Sequence, residues 1–379
     1  MRHLPLTIVL DGEPQSPHQA RLAAELIVRG HRPILLNAPD LAAKVHAEFG
    51  HEIHHVFLPG TWPQKLRDRQ IRHLLEPLRV DVVHLNNLHP AQLLWQRLGI
   101  PYVATAWGPD LLERPPRRPV RHDQQLGQLL RGAAWVTADN QPTLDRARAL
   151  AGQELPNRLV LWGVELARFD RALWTAERQQ WRQRLAIHPD AYVLLSPRPT
   201  LESSHPQRIL QAFAQMPREP QDTLVFKIHG KDGEAQVQLR LVELAKQLQV
   251  QDRVRFAPAC TWDELPGLYT LADAAVSALE TDGASAIFPE LMALEVPIVA
   301  SALPAYGAML GGDQALLFGA QSVAEMTHAL TRMRETPRLR AHMANEARKW
   351  AIAQADWHHS VTAWLELYGR ALDGQERRH

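Results

Sequence analysis

A chain of 379 residues has room for two domains and hardly for three. Its 45% apolar residues suit ordinary globular cores, and a net charge of +1 excludes nucleic acid as the obvious partner. One cysteine, Cys260, excludes disulfides and Cys-type zinc sites, and no apolar run approaches the ~20 residues of a membrane span.

In chain order, short apolar runs predict strands at 4–10, 33–37, 55–58, 80–85, 102–106, 135–138 and 159–161. A second series follows at 192–196, 224–229, 254–256, 274–279, 297–301 and 315–318. Helical patterns lie between most of them, at 18–29, 207–216 and 234–248 among others, and a last helix covers 357–372. Alternation of this kind predicts an α/β protein with parallel sheets covered by helices on both faces. Two series imply two Rossmann-like domains, expected over 1–165 and 166–355, with 356–379 a C-terminal helix packing back on the first. The N-terminus enters its first strand directly, so no signal peptide is expected and the location reads as cytoplasmic.

His51-Glu52-Ile53-His54-His55 matches H-E-x-x-H by letter. Zinc use needs both His on one helix face. Here Gly50 precedes and an apolar run follows, so the stretch reads as a turn entering a strand, where positions one and five stand about 13 Å apart. No metal site is expected. The Pro-rich run with Arg114, Arg117, Arg118, Arg121 and His122 is either a solvated loop or a contact for lipid phosphate or an anionic acceptor. Residues 1–170 carry 20 Lys/Arg against 17 Asp/Glu, the sign expected of peripheral contact with the inner face of a membrane.

The most informative stretch is 277–301. A strand ends in Thr281-Asp282-Gly283, the small residues Ala284-Ser285-Ala286 follow, and a short amphipathic helix carrying Glu290 leads to a β-branched strand. Free amides at such a helix start attract phosphate. The carboxylates of Asp282 and Glu290 suit hydroxyls of a sugar or ribose. No G-x-G-x-x-G occurs, and Gly230-Lys231-Asp232-Gly233 lacks the spacing of a P-loop.

This segment resembles the donor-sugar signature of the retaining GT-B glycosyltransferases of family four (glycosyl transferases group 1). Asp282 stands where that family more often has Glu, Glu290 matches its second acid, and Glu295 replaces a usual Gly. The resemblance extends through Arg29-Gly30-His31, Asp81-Val82-Val83-His84, Trp107-Gly108-Pro109-Asp110 (similar to a subgroup's WGsD loop), Trp162-Gly163-Val164-Glu165 and Ser196-Pro197-Arg198. It implies a GT-B fold whose two parallel sheets face a central cleft. It also implies a nucleotide-diphosphate sugar as co-substrate, with no cofactor and no metal. The implied donor-binding residues are Arg198, Lys227, Gly230, Gly283, Ala284, Ser285 and Glu290. The implied catalytic carboxylates are Asp110, Asp282 and Glu290, and the acceptor side would hold Gly12, His18 and Trp107.

Two departures matter. The family's Lys about five residues after Arg198 is missing from Leu201-Glu202-Ser203-Ser204-His205, leaving Lys227 or Lys231 to compensate. Trp107 stands where many members have His, and an indole neither gives nor takes a proton there. The expected activity is retaining transfer of a sugar to a glycan, lipid-linked or small-molecule acceptor. The alternative is a GT-B protein that binds a nucleotide sugar or glycan with lost or altered catalysis.

Overall fold

The computed structural model describes residues 5–13, 16–36, 39–57, 64–112, 120–217, 219, 221–283 and 285–376. Thirteen parallel strands form two sheets among them. The chain divides into a first unit, residues up to Trp162 together with the helix from His358, and a second unit, Gly163–Trp357.

The first sheet comprises β1 (Thr7–Asp11), β2 (Arg32–Leu36), β3 (His54–Val56), β4 (Val82–Asn86), β5 (Tyr102–Ala106), β6 (Trp135–Ala138) and β7 (Asn157–Leu159), in the order β3-β2-β1-β4-β5-β6-β7. The second comprises β8 (Val193–Ser196), β9 (Thr223–Lys227), β10 (Val254–Ala257), β11 (Ala274–Ser277), β12 (Ile298–Ser301) and β13 (Ala315–Phe318), in the order β10-β9-β8-β11-β12-β13. Every residue of β4, β5, β8, β9, β11 and β12 is buried. This follows from helices covering both faces of a parallel sheet, and it is why the runs read as continuously apolar. The edge strand β3 exposes His54 and His55, and His51–Ile53 is irregular, so the H-E-x-x-H letters form no helix.

Each sheet reverses its order at one point, between β1 and β4 in the first and between β8 and β11 in the second. Chain crossovers leave on opposite faces there, opening a crevice at the carboxyl ends of the strands.

The last helix, Trp357–Glu376, joins the first unit through buried aromatics. Trp364 and Tyr368 are fully buried, Tyr368 hydrogen-bonds His84 on β4 at 2.5 Å, and Arg29 donates to Thr362 Oγ1 at 2.8 Å. The segment leaving Trp162 runs beside the segment entering this helix. Val164 N–H donates to Ala355 O at 2.7 Å and Trp357 N–H to Val164 O at 3.1 Å. A Cβ on Gly163 would lie 2.6 Å from the Trp357 nitrogen, so this close pairing requires glycine.

Candidate functional site

The second unit brings Arg198, after β8, against Asp282, after β11, across the order reversal. Arg198 Nη2 donates to Asp282 Oδ2. Tyr306 joins them: its hydroxyl donates to the same oxygen at 2.7 Å and stands 3.4 Å from Arg198 Nη2. Asp282 Oδ1 accepts the Gly283 N–H at 3.0 Å. The Phe288 ring lies under the guanidinium, 5.5 Å from its carbon. Burial disfavours the charge on Arg198, but the Asp282 carboxylate outweighs it and holds the guanidinium pKa above its ordinary value. Nε of Arg198 is buried without a hydrogen-bond partner among the described residues. Within the unit, then, both Asp282 oxygens are engaged, and Oδ2 orients the arginine.

Lys227 ends β9, an interior strand, and is only 5% exposed. Its ammonium lies 3.3 Å from both ring nitrogens of His229. Nε2 of His229 sits 2.9 Å from Pro197 O, which can only accept, so Nε2 carries the proton and Nδ1 is left to accept from Lys227. Burial, then the lysine charge, push the His229 pKa down to about 4, keeping the ring neutral. Burial also lowers the Lys227 pKa, while nearby carboxylates, Glu290 among them, oppose that shift.

Glu234, which sequence reasoning missed, fixes this end of the sheet. Its buried carboxylate accepts the N–H groups of Thr200 at 2.8 Å, His229 at 3.0 Å and Lys231 at 2.8 Å. It thereby ties the loop after β8 to the loop after β9. Gly230 and Gly233, with φ of 74° and 86°, allow the turn that presents those amides. The signal was present as an acid three residues after Lys231 at a helix start, the reach of a capping-box glutamate.

Glu290 is buried in the seven-residue helix Ile287–Ala293. Phe288–Ala293 are all buried, so this helix is not the amphipathic one expected; it lies inside the unit. Its first amides are partly used locally: Ile287 N–H donates to Ser285 Oγ and Phe288 N–H to Ser285 O, each at 3.3 Å. Ala284 lies outside the described residues. Glu295 adopts φ of 55°, which explains why glycine suits that position, and its carboxylate pairs with Arg348 at 3.3 Å.

In the first unit, His18 at the start of the helix Pro17–Val28 packs edge-on to Trp107, with ring centroids 5.3 Å apart, and 5.1 Å from Trp162. Burial, reinforced by Arg21 and Lys44, pushes the His18 pKa down to about 4, so it is neutral at pH 7. Asp110 follows β5, and both of its oxygens accept backbone amides, from Leu88 at 2.8 Å and Trp107 at 3.0 Å. Burial pushes its pKa up to about 6 against those hydrogen bonds. The geometry makes Asp110 a clasp between the loops after β4 and β5. Asp11, just before Gly12, ends β1 and accepts Trp95 Nε1 at 2.5 Å, and burial raises its pKa to about 6. Gly12 passes so close to β4 that a Cβ would lie 2.8 Å from the Asn86 carbonyl oxygen. Arg121 is exposed in the first turn of the helix Val120–Gly132, while Arg114, Arg117 and Arg118 lie outside the described residues. Among the described residues no helix is long and apolar enough to cross a membrane.

Residues 177–350 match the family description Glycosyl transferases group 1, and residues 16–168 match Glycosyltransferase Family 4. The chain is 28% identical to the D-inositol 3-phosphate glycosyltransferase of Thermomonospora curvata over 317 residues, 79% of this chain and 73% of that protein. The protein of the same name from Salinispora arenicola is 28% identical over 315 residues, 77% and 69% of the two chains. Among solved structures, a glycosyltransferase from Rickettsia africae aligns with a TM-score of 0.82 at 15% identity, covering 98% of this chain and 99% of that one. Anabaena HepE, solved in complex with UDP, aligns at 0.79 and 14% identity over 96% and 99%. These structural likenesses establish the fold, two Rossmann-like halves of the GT-B type. One family match on each unit makes the chain a member of glycosyltransferase family four, the glycosyl transferases group 1.

Proposed function

We propose that the chain moves a sugar from a nucleoside-diphosphate sugar to a hydroxyl of a small polyol, with retention at the anomeric carbon and without a metal. The observation that carries this reading is the Arg198–Asp282–Tyr306 cluster at the order reversal of the second sheet, with Lys227 and Glu290 beside it. Arg198 and Lys227 supply two positive charges for the diphosphate, one with an unused Nε and one held loosely by a neutral imidazole. Lys227 thus takes the part of the lysine missing after Arg198. Both cations gain in effect as charge develops on the leaving group, which is electrostatic stabilisation of the transition state. Glu290 accepts hydroxyls of the bound sugar.

The step balances simply. The bond from the anomeric carbon to the diphosphate oxygen breaks, a bond to the acceptor oxygen forms, and the acceptor proton leaves with the diphosphate. Within the family, we group the chain with members that carry a WGsD-like loop. A small-molecule acceptor is favoured because the curated relatives are named for inositol 3-phosphate. A glycan or lipid-linked acceptor at a membrane face is the second choice. Incubation with a panel of nucleotide sugars and polyols, with products read by NMR, tests the reading. Binding of nucleotide without any transfer would favour a binding protein with lost catalysis.

A further inference from the structure

Four strands end the two sheets: β3, β7, β10 and β13. An edge strand presents unpaired backbone groups, and proteins ordinarily guard it with charged or polar side chains. β3 carries His54 and His55, and β7 carries Asn157 and Arg158. β10 carries Arg255, whose guanidinium donates to the carbonyl oxygens of Leu185 at 2.8 Å and Val254 at 3.0 Å. β13 reads Ala315-Leu316-Leu317-Phe318, with no such guard, and Leu317 is 41% exposed.

The backbone of this edge is set for pairing. Phe318 O accepts the Ala302 N–H at 2.8 Å, so the polar groups of Phe318 face β12. Backbone groups alternate along a strand, which turns those of Leu316 toward β12 as well and those of Ala315 and Leu317 toward the free edge. Beside that edge lies a groove of about 450 Å³. Its floor is Leu316 and Leu317, and its wall is the exposed flank of the helix Val323–Glu335, with Ala324, Glu325, His328 and Arg332.

The charges on that flank select the occupant. Glu325 stands in the first turn, with one oxygen on the Gly319 N–H at 2.8 Å. Arg332 lies about two turns later and has no ion pair among the described residues. A flank that is negative at one end and positive at the other is complementary to itself turned end for end. A two-fold axis perpendicular to the sheet makes that turn, and the same axis sets β13 antiparallel to its copy. With the axis at Leu316, Ala315 of each copy faces Leu317 of the other. Both residues point their backbone groups outward, so each such pair exchanges both N–H···O bonds. Leu316 meets its own counterpart on the groove floor, and Glu325 comes opposite Arg332 on both sides of the axis. A uniformly acidic or basic segment would set a like charge against one end of the flank.

We propose that the β13 edge is a two-fold interface between copies of this chain, joining two six-stranded sheets into one continuous sheet. The inference is independent of the donor and acceptor chemistry proposed above.

The test is sedimentation of the intact chain over a concentration series. Wild type should show a monomer–dimer equilibrium, and the amides of Ala315–Phe318 should exchange hydrogen more slowly as concentration rises. Leu317→Lys, which supplies the missing guard, should be monomeric. Arg332→Glu should raise the dimer dissociation constant by about tenfold or more, because it opposes like charges on both sides of the axis. Mixing Arg332→Glu chains with separately made Glu325→Arg chains should recover a dimer, since every opposed pair is then of opposite sign. If Glu325→Arg loses its fold along with its Gly319 contact, the other two variants decide, each altering an exposed side chain and checked for folding by circular dichroism. A wild type that sediments as a monomer throughout overturns the proposal and leaves the edge to a different protein. So does a dimer that withstands both Leu317→Lys and Arg332→Glu, or concentration-dependent protection that spares Ala315–Phe318.

Discussion

Asp282 aims Arg198: one carboxylate oxygen accepts both the guanidinium Nη2 and the Tyr306 hydroxyl, across the order reversal of the second sheet. Hydrogen bonds to charged groups contribute roughly 1.5–3 kcal/mol. Arg198→Ala should therefore weaken a nucleoside diphosphate by about ten- to a hundredfold while leaving the bare nucleoside unchanged. Tyr306→Phe and Asp282→Asn should give smaller losses of the same selectivity, because they loosen the arginine without removing it. Calorimetry with UDP and uridine reads both, and an equal loss for the two ligands would refute the assignment.

Lys227 and Arg198 are expected to grip one diphosphate. Lys227→Met should lower diphosphate affinity, and the double variant should depart from additivity by more than about 0.5 kcal/mol. Strict additivity would mean that the two cations serve separate ligands.

Glu234→Ala should be among the most damaging single changes to stability in the second unit. It strands three amides, of Thr200, His229 and Lys231, in a buried place. The total is on the order of 3–5 kcal/mol even if water rescues part of it. Chemical denaturation measures it; a loss below about 1 kcal/mol would show that the carboxylate does not fix these loops.

Thirteen strands were legible because strands buried on both faces leave continuous apolar runs, and their observed bounds differ from the expected ones by three residues at most where both are described. The meeting of Arg198 with Asp282 was foreshadowed only by resemblance, since 84 residues separate them and sheet order alone brings them together. Tyr306 sits in a single turn, Pro304–Tyr306, with no motif around it. Asn86 ends a run that reads as core, so its unpaired amide appears only once the neighbours are placed. The helix with Glu290 reads as amphipathic in the sequence because seven residues are too few for periodicity to separate an amphipathic helix from a buried one.

Glu295→Gly sets relief of backbone strain against loss of an ion pair. A left-handed non-glycine residue costs about 1–2 kcal/mol, and the half-buried pair with Arg348 contributes roughly 0–1. Strain outweighs the pair, so the variant should melt slightly higher than wild type. A lower melting temperature would mean that the ion pair dominates.

Acid should act through three histidines that the fold holds neutral. His18 and His229 are held at about 4 and His84 at about 3, all by burial first, below the ordinary 6.5. With folded-state values depressed, the unfolded chain binds more protons, so this contribution to stability is present above pH 6.5 and lost as pH falls toward 4. Asp11 and Asp110, raised to about 6, act oppositely, favouring the fold as pH falls from 6 toward 4. His18→Phe keeps an aromatic ring and removes one titration, so its stability difference between pH 7 and 4.5 should be smaller than that of wild type. An equal or larger difference would show that His18 is not held neutral.

Whether Arg198 drives a retaining, metal-free sugar transfer is decided by NMR of the product formed from a nucleotide-sugar panel and a polyol, for wild type and for Arg198→Ala. The expected product carries a new glycosidic bond with the anomeric configuration of the donor, forms in the presence of EDTA, and is lost or strongly reduced in the variant. No transfer with any donor, an inverted product, or a rate indifferent to Arg198 would refute that assignment.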